Sequence, residues 1–280
     1  MFKEFEEKYR TENSTGSVTP TLCRLCGVRP PKQCSARELP AVVDQGFKLF
    51  GGEGRAEKVL VYCPDAFGEA QCGRCPDAAA RVKEIAGFRF RLATVMPSVT
   101  PVCFATIFSG AEPAVHGITA YAKPVLTVET LFDVLAEAGK NVAIVSGNGC
   151  SIDKIFRERD VDYFSLRTSR QTFECTRRLI AADRHDVIIS YMPDYDENLH
   201  RTGQFSPTSL EAIARAADWF AELNADMEKY WAAYNRVLVF SPDHGGHAID
   251  EATGGHGTDC AEDMVVNHFY RLRAGKKQPR

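Results

Sequence analysis

RVLVFSPDHGG, residues 236–246, runs a β-branched and aromatic segment through a Ser-Pro turn into an acid, an imidazole and two glycines. A short apolar run without polar alternation reads as a strand buried on both faces, which belongs in a parallel sheet covered by helices. The residues just beyond such a strand stand at the C-terminal edge of the sheet, where open α/β sheets bind ligands. The same pattern recurs in KVLVYCPD (58–65), which ends at Asp65, and in DVIISYMPDYD (186–196), which ends at Asp194 and Asp196. FRLATVM (90–96) and NVAIVSG (141–147) are further strand segments. Between them lie the helix candidates PDAAARVKEIAG (76–87), which opens with Pro and closes on Gly, VETLFDVLAEAGK (128–140), which also ends at a Gly, and the long stretch 206–234, with apolar residues at helical spacing after a Ser-Pro start. This alternation predicts an α/β fold with a mostly parallel central sheet.

The expected organisation is an N-terminal Cys/Pro-containing extension over 1–57, one α/β domain over 58–270, and a basic tail over 271–280. Lys and Arg number 34 against 37 Asp and Glu, a net charge of -3, so no global basic field argues for a nucleic acid polymer as partner. The N-terminal residues carry no apolar leader, and no run of about 18 apolar residues occurs, so neither export nor a membrane span is expected and the location read is cytoplasmic. Ten cysteines without an export signal read as thiols or metal ligands rather than disulfides. Cys23-x-x-Cys26 and Cys72-x-x-Cys75 have the pair-and-pair shape of a structural zinc site, although their separation is longer than in usual zinc ribbons.

Several carboxylates at separate strand ends are more than helix caps require. Asp196 and His200 are four apart in DENLH, a spacing that places both on one face of a helical turn; oxygen and imidazole together suit Zn or Mn. Asp243 and His244 are adjacent and diverge, and His256 follows in GGHG, where glycines let backbone approach a ligand. Thr100, in SVTPVCFATIFSG (98–110), stands between a strand and an apolar helix with Pro101 at its first turn. A hydroxyl there caps a helix, and the same place favours a phosphate and a developing alkoxide.

The order of these motifs resembles the alkaline phosphatase superfamily, in the branch of type I phosphodiesterases, nucleotide pyrophosphatases and phosphonoacetate hydrolases. The resemblance rests on Asp65 at the first strand, VMPSVTPVCFATIFSGAEPAVHGI (95–118), DENLHRTG (196–203), SPDHGG (241–246) and GGHG (254–257), and it covers roughly 58–270. It implies a three-layer α/β/α sandwich and two divalent metal ions. One would be held by Asp196, His200 and His256, and the other by Asp65, Asp243 and His244 with Thr100. It further implies that Thr100 is the nucleophile and that a phosphothreonine is then cleaved by water. The spacing shared with the family favours Asp196 over Asp194. Diesterase relatives place an Asn shortly after the nucleophile to hold a phosphoryl oxygen; here Pro101, Val102 and Cys103 follow, so Cys103 is a candidate replacement contact. His247 is a second candidate, as a substrate contact or an alternative to His256. His116 is expected to brace the nucleophile helix, and Glu112 and Lys123 to be solvated.

The short segment between His244 and His256 leaves little room for a substrate cap, so a leaving-group pocket is small, or supplied by the extension or by a second copy in a homo-oligomer. The expected substrate is a small phosphoester or phosphonate. The alternatives are a sugar-phosphate mutase of the same superfamily and a degenerate member that binds metal or a phosphometabolite without turnover.

Overall fold

The computed structural model describes residues 1–52 and 54–276. The main sheet contains β1 (Asn13–Ser14), β2 (Lys58–Pro64), β3 (Phe88–Ala93), β4 (Val142–Gly147), β5 (Asp162–Leu166), β6 (Val187–Met192), β7 (Arg236–Phe240) and β10 (Val265–Arg273). A two-residue hairpin, β8 (His247–Ala248) with β9 (Gly254–Gly255), stands apart from it. Across the sheet the order is β1-β3-β10-β7-β2-β6-β4-β5. β10 is antiparallel to both neighbours, while the other pairings are parallel.

Every residue of β2 is buried, because the strand is central and covered on both faces. Its side chains alternate between two cores. Val59, Val61 and Cys63 face one; Leu60 and Tyr62 face the other, beneath the helix Pro207–Tyr230. These two apolar layers are the α/β/α sandwich. β7, β2 and β6 are adjacent, with Val59 opposite both Val187 and Val237, so the three acid-bearing strand ends open side by side.

The first residues are woven into this body. β1 pairs in parallel with β3, the helix Val18–Cys26 packs on the helix Thr100–Ser109, and Thr19 Oγ1 donates to Ile107 O at 2.7 Å. Gly110 ends the Thr100–Ser109 helix with φ +67 and takes the amides of Ser35 and Ala36 on its carbonyl; a Cβ there would collide with Cys34. The helix Val18–Cys26 and the segment 34–36 thus roof the layer that holds the nucleophile candidate. At the other end β10 continues to Arg273, past the expected boundary at 270, and residues 277–280 of the basic tail lie outside the described residues.

The four-cysteine zinc site is overturned. Cys23 and Cys26 are packed in the core on one face of the sheet and Cys72 in the core on the other, with Cys75 against it. The sheet stands between the pairs, and burial raises all four thiols, Cys26 to about 12 and Cys72 to about 11, so they are small hydrophobes held as neutral thiols. Among the described residues no helix is long and apolar enough to cross a membrane.

Candidate metal centre and cleft

Three loops leaving β7, β2 and β6 carry the acids to one place. Asp65 follows β2 directly, and its amide donates to Met192 O at 2.9 Å, locking it to the end of β6. Asp243 and His244 follow β7. Thr94 Oγ1 donates to the Asp243 carbonyl at 2.6 Å, and His268 Nε2 donates to Pro242 O at 2.7 Å from beneath. Gly245 lies so close to the Glu262 carbonyl that a Cβ has no room, which keeps His244 turned into the site. Asp196 and His200 lie on the helix Asp194–Thr202, and His256 follows β9.

Two sets of ligand atoms result. In the first, His244 Nε2 stands 3.4 Å from Asp65 Oδ1 and 3.3 Å from Asp243 Oδ2. In the second, Asp196 Oδ1 is 3.4 Å from His200 Nε2 and 3.3 Å from His256 Nε2, and the two imidazole nitrogens are 3.1 Å apart. Bonds of about 2.0–2.1 Å in tetrahedral array separate neighbouring ligand atoms by roughly 3.3–3.4 Å. Both sets match that spacing.

The protonation pattern agrees. His244 Nδ1 donates to Gly245 O at 2.8 Å, His256 Nδ1 to Ser98 O at 2.8 Å and His200 Nδ1 to Gly254 O at 3.1 Å. A carbonyl only accepts, so each Nδ1 carries a proton and Nε2 is the ring nitrogen turned inward. Asp65 Oδ1, Asp196 Oδ1 and Asp243 Oδ2, the oxygens nearest those nitrogens, are buried without a hydrogen-bond partner. Buried polar atoms are rarely left unpaired, and three at one point call for a cation. Without one, burial and then the neighbouring Asp196 push Asp65 up to about 7, while burial and then Asp65 hold Asp243 far above the carboxylate range. Burial also pushes His244 down to about 3. For His256 burial acts downward, but Asp196 outweighs it and lifts the imidazole to about 9.

Thr100 is the first residue of its helix, with Oγ1 3.4 Å from His244 Nε2. It lines a cleft of about 670 Å³ together with Asp65, Asp196 and Tyr191, whose hydroxyl donates to Asp65. The opposite wall comes from Tyr121 and Lys123, the turn after β4 at Gly147–Ser151, and Leu166–Ser169 after β5. Asp194 also lines the cleft, but its carboxylate reaches toward Arg215 at 3.5 Å and stands outside both ligand sets.

Cys103 and His247 do not line the cleft. The whole Thr100–Ser109 helix is buried, and Cys103 has no exposure; its sulfur lies 3.3 Å from Thr94 Oγ1. His247 does not line the cleft, and its Nδ1 donates to Asp263 at 2.7 Å. His116 braces as expected: its Nε2 meets Thr106 Oγ1 at 3.0 Å and its Nδ1 accepts from the Ile118 amide at 3.2 Å. Sequence reasoning missed Tyr191, Thr94 and His268, which sit inside strands or strand ends without a local pattern. It also missed the wall at Tyr121 and Arg167 and took Lys123 for solvated surface; loop position is the only sequence signal there.

The family model for type I phosphodiesterase / nucleotide pyrophosphatase matches residues 79–276, which leaves Asp65 outside the matched stretch. No curated protein matches the chain. Among solved structures, the chain is similar to murine ectonucleotide pyrophosphatase / phosphodiesterase 5, at 17% identity and TM-score 0.54, over 68% of this chain and 57% of that one. It is similar to the C-terminal periplasmic domain of EcEptC from Escherichia coli in complex with Zn, at 13% identity and TM-score 0.56, over 79% and 74%. Phosphonoacetate hydrolase from Sinorhizobium meliloti 1021 in complex with phosphonoacetate aligns at 18% identity and TM-score 0.49, over 69% and 59%. The chain thus spans under two thirds of the length of the phosphonoacetate hydrolase and of the murine protein. At these identities the likeness is one of fold.

Proposed function

The chain belongs to the type I phosphodiesterase / nucleotide pyrophosphatase family of the alkaline phosphatase superfamily, and we propose that it is a two-metal hydrolase of a small phosphoester or phosphonate, with Thr100 as nucleophile. The observation that carries this is the convergence of three unpartnered carboxylate oxygens and three inward Nε2 atoms beneath the Thr100 hydroxyl. Asp65, Asp243 and His244 would hold one divalent ion and Asp196, His200 and His256 the other; nitrogen and oxygen donors at this spacing suit zinc, with manganese as the second choice. When bound, such ions lower the pKa of a coordinated hydroxyl and neutralise charge on the phosphoryl group.

The remaining steps belong to the chain's own groups. Thr100 Oγ1 forms a bond to phosphorus as the bond to the departing group breaks, and the proton lost from Thr100 is taken up, by way of solvent, by the departing group. The start of the helix at Thr100 favours negative charge on that oxygen and on the phosphoryl oxygens. Water then forms a bond to phosphorus as the Oγ1–P bond breaks, releasing phosphate or its monoester, and one proton of that water goes to Thr100 Oγ1. Lys123 and Arg167 on the far wall make no ion pair among the described residues, and Tyr121 is 63% exposed beside them. That wall favours a departing group that is anionic or carries a flat ring.

The test is a screen of the zinc- and manganese-loaded protein against chromogenic monoesters, diesters and phosphonates, repeated with Thr100→Ala. The variant is expected to keep its fold and its zinc while turnover falls by about three orders of magnitude or more, as for other covalent nucleophiles. Near wild-type turnover in Thr100→Ala removes the phosphothreonine step.

A further inference from the structure

Asp263 lies outside the cleft, has no solvent exposure, and is used by none of the steps above. Its Oδ1 accepts from His247 Nδ1 at 2.7 Å, and its Oδ2 accepts from the Thr258 amide at 2.9 Å and the Thr258 hydroxyl at 2.8 Å. Its carbonyl accepts from the Gly245 amide at 2.9 Å. His247 opens β8, and Thr258 stands two residues beyond His256. One carboxylate therefore ties together the two ends of the loop that carries His256.

That loop needs a tie, since a hairpin with strands of two residues has little stability of its own. It also orients two of the three ligands in the Asp196 set. His256 rides on it directly, and its Gly254 carbonyl fixes the His200 ring through Nδ1. Asp196 itself sits on a different element, so the set closes only when the hairpin is held against the helix Asp194–Thr202.

His247, Cys260 and Asp263 lie close enough together to be weighed as a metal site in their own right. The hydrogen bonding decides against it. Both oxygens of Asp263 already have donors, and 2.7 Å is a hydrogen-bond separation, shorter than the roughly 3.3 Å between ligand atoms on one zinc. In the two sets under Thr100 the facing oxygens are unpartnered.

We infer that Asp263 is a positioning residue for the Asp196–His200–His256 metal set, acting through the hairpin; the inference rests on the two-metal reading above. Asp263→Ala should release both ends of the loop while leaving Asp65, Asp243 and His244 on their strand ends. Zinc titration by calorimetry and equilibrium dialysis is the experiment, on the full chain. Wild type is expected to take up two zinc ions. Asp263→Ala is expected to bind one as before and the other about 10- to 100-fold more weakly, the range seen when outer supports of metal ligands are removed. Excess zinc should restore turnover. Thr258→Val, which deletes one of the hydrogen bonds and keeps the carboxylate, should weaken the same ion by a smaller factor, and it serves if Asp263→Ala does not fold. Two ions bound at unchanged affinity in these variants overturn the inference, as does equal weakening of both, which marks a general stabilising role. A wild-type chain that binds no divalent ion fails the metal reading itself, and is distinguished by needing no variant to be seen.

Discussion

The two candidate ligand sets under Thr100 both join carboxylate to imidazole, two to one in the first and one to two in the second, and they have different foundations. Asp65, Asp243 and His244 are at most 1% exposed and follow central strands directly, so the sheet that holds the core also holds the ligands. Asp196, His200 and His256 lie toward the rim, on one helix and one two-residue hairpin, and the His200 side chain is 46% exposed. A ligand set built on core strands is rigid at the cost of burying acids that repel each other. A set built on surface elements is better solvated and depends on ties such as Asp263.

The strongest way to break this comparison is to remove one imidazole from each set. His244→Ala should abolish turnover, by about three orders of magnitude or more, with no recovery in excess zinc, because the lost donor cannot be replaced by water where the site is closed. His200→Ala should lose less and recover partly as zinc is raised, since solvent can reach the vacant position. Equal, unrecoverable losses in steady-state assays would show that rim and core sets do not differ.

A second test uses stability in place of activity. Asp243→Asn removes one of the two acids that burial and mutual repulsion hold above the usual range. It should raise the stability of the metal-free protein by about 1–3 kcal/mol, the cost of a buried unsatisfied group, a few degrees in Tm for a chain of this size. The same variant should lose metal. A lower Tm in the metal-free variant, by calorimetry, contradicts the repulsion.

The pH dependence follows from the same groups. Asp65 at about 7 and His256 at about 9 both sit above their ordinary values, so the folded metal-free chain holds protons that the unfolded chain has released. Their contribution is present at lower pH and is lost as pH rises through those values. Between about pH 6.5 and 9 the metal-free Tm should fall with rising pH, whereas the downward-shifted His244, His116 and His268 act only below that window. Bound zinc should flatten the slope, because the ligands stay deprotonated. A metal-free Tm that is flat or rises across that window would contradict the assignment.

The smallest effect is expected on the cleft wall. Arg167→Ala should raise KM for an anionic substrate by about tenfold, in line with a loss near 1.4 kcal/mol, while kcat and zinc content hold. A fall in kcat with KM unchanged would place Arg167 with the ligand sets.

The strand ends were legible because KVLVYC, VIISYM and RVLVF are apolar on both faces and each runs straight into its acids. β10 was not legible, since VVNHFYRLR interrupts its apolar residues with Asn267, His268, Arg271 and Arg273, and it enters the sheet antiparallel. Cys103 misled because nearness to Thr100 along the chain suggested nearness in the cleft. Its helix is apolar all round and sunk in the core, so only Thr100 at its tip meets the cleft.

By itself the sequence determined which residues have ligand chemistry, because Asp and His next to strand ends, four apart on a helix or beside glycines are local patterns, set by a few torsions. The family resemblance implied how they divide into two sets; only the tertiary structure decided that the six meet, since that depends on β7, β2 and β6 lying side by side. Pairings between strands far apart in the chain are settled by burial on both faces of the sheet, and no single segment carries that information. The same holds for the wall at Tyr121, Lys123 and Arg167 and for Asp263. Each gains its role from a neighbour that only folding supplies.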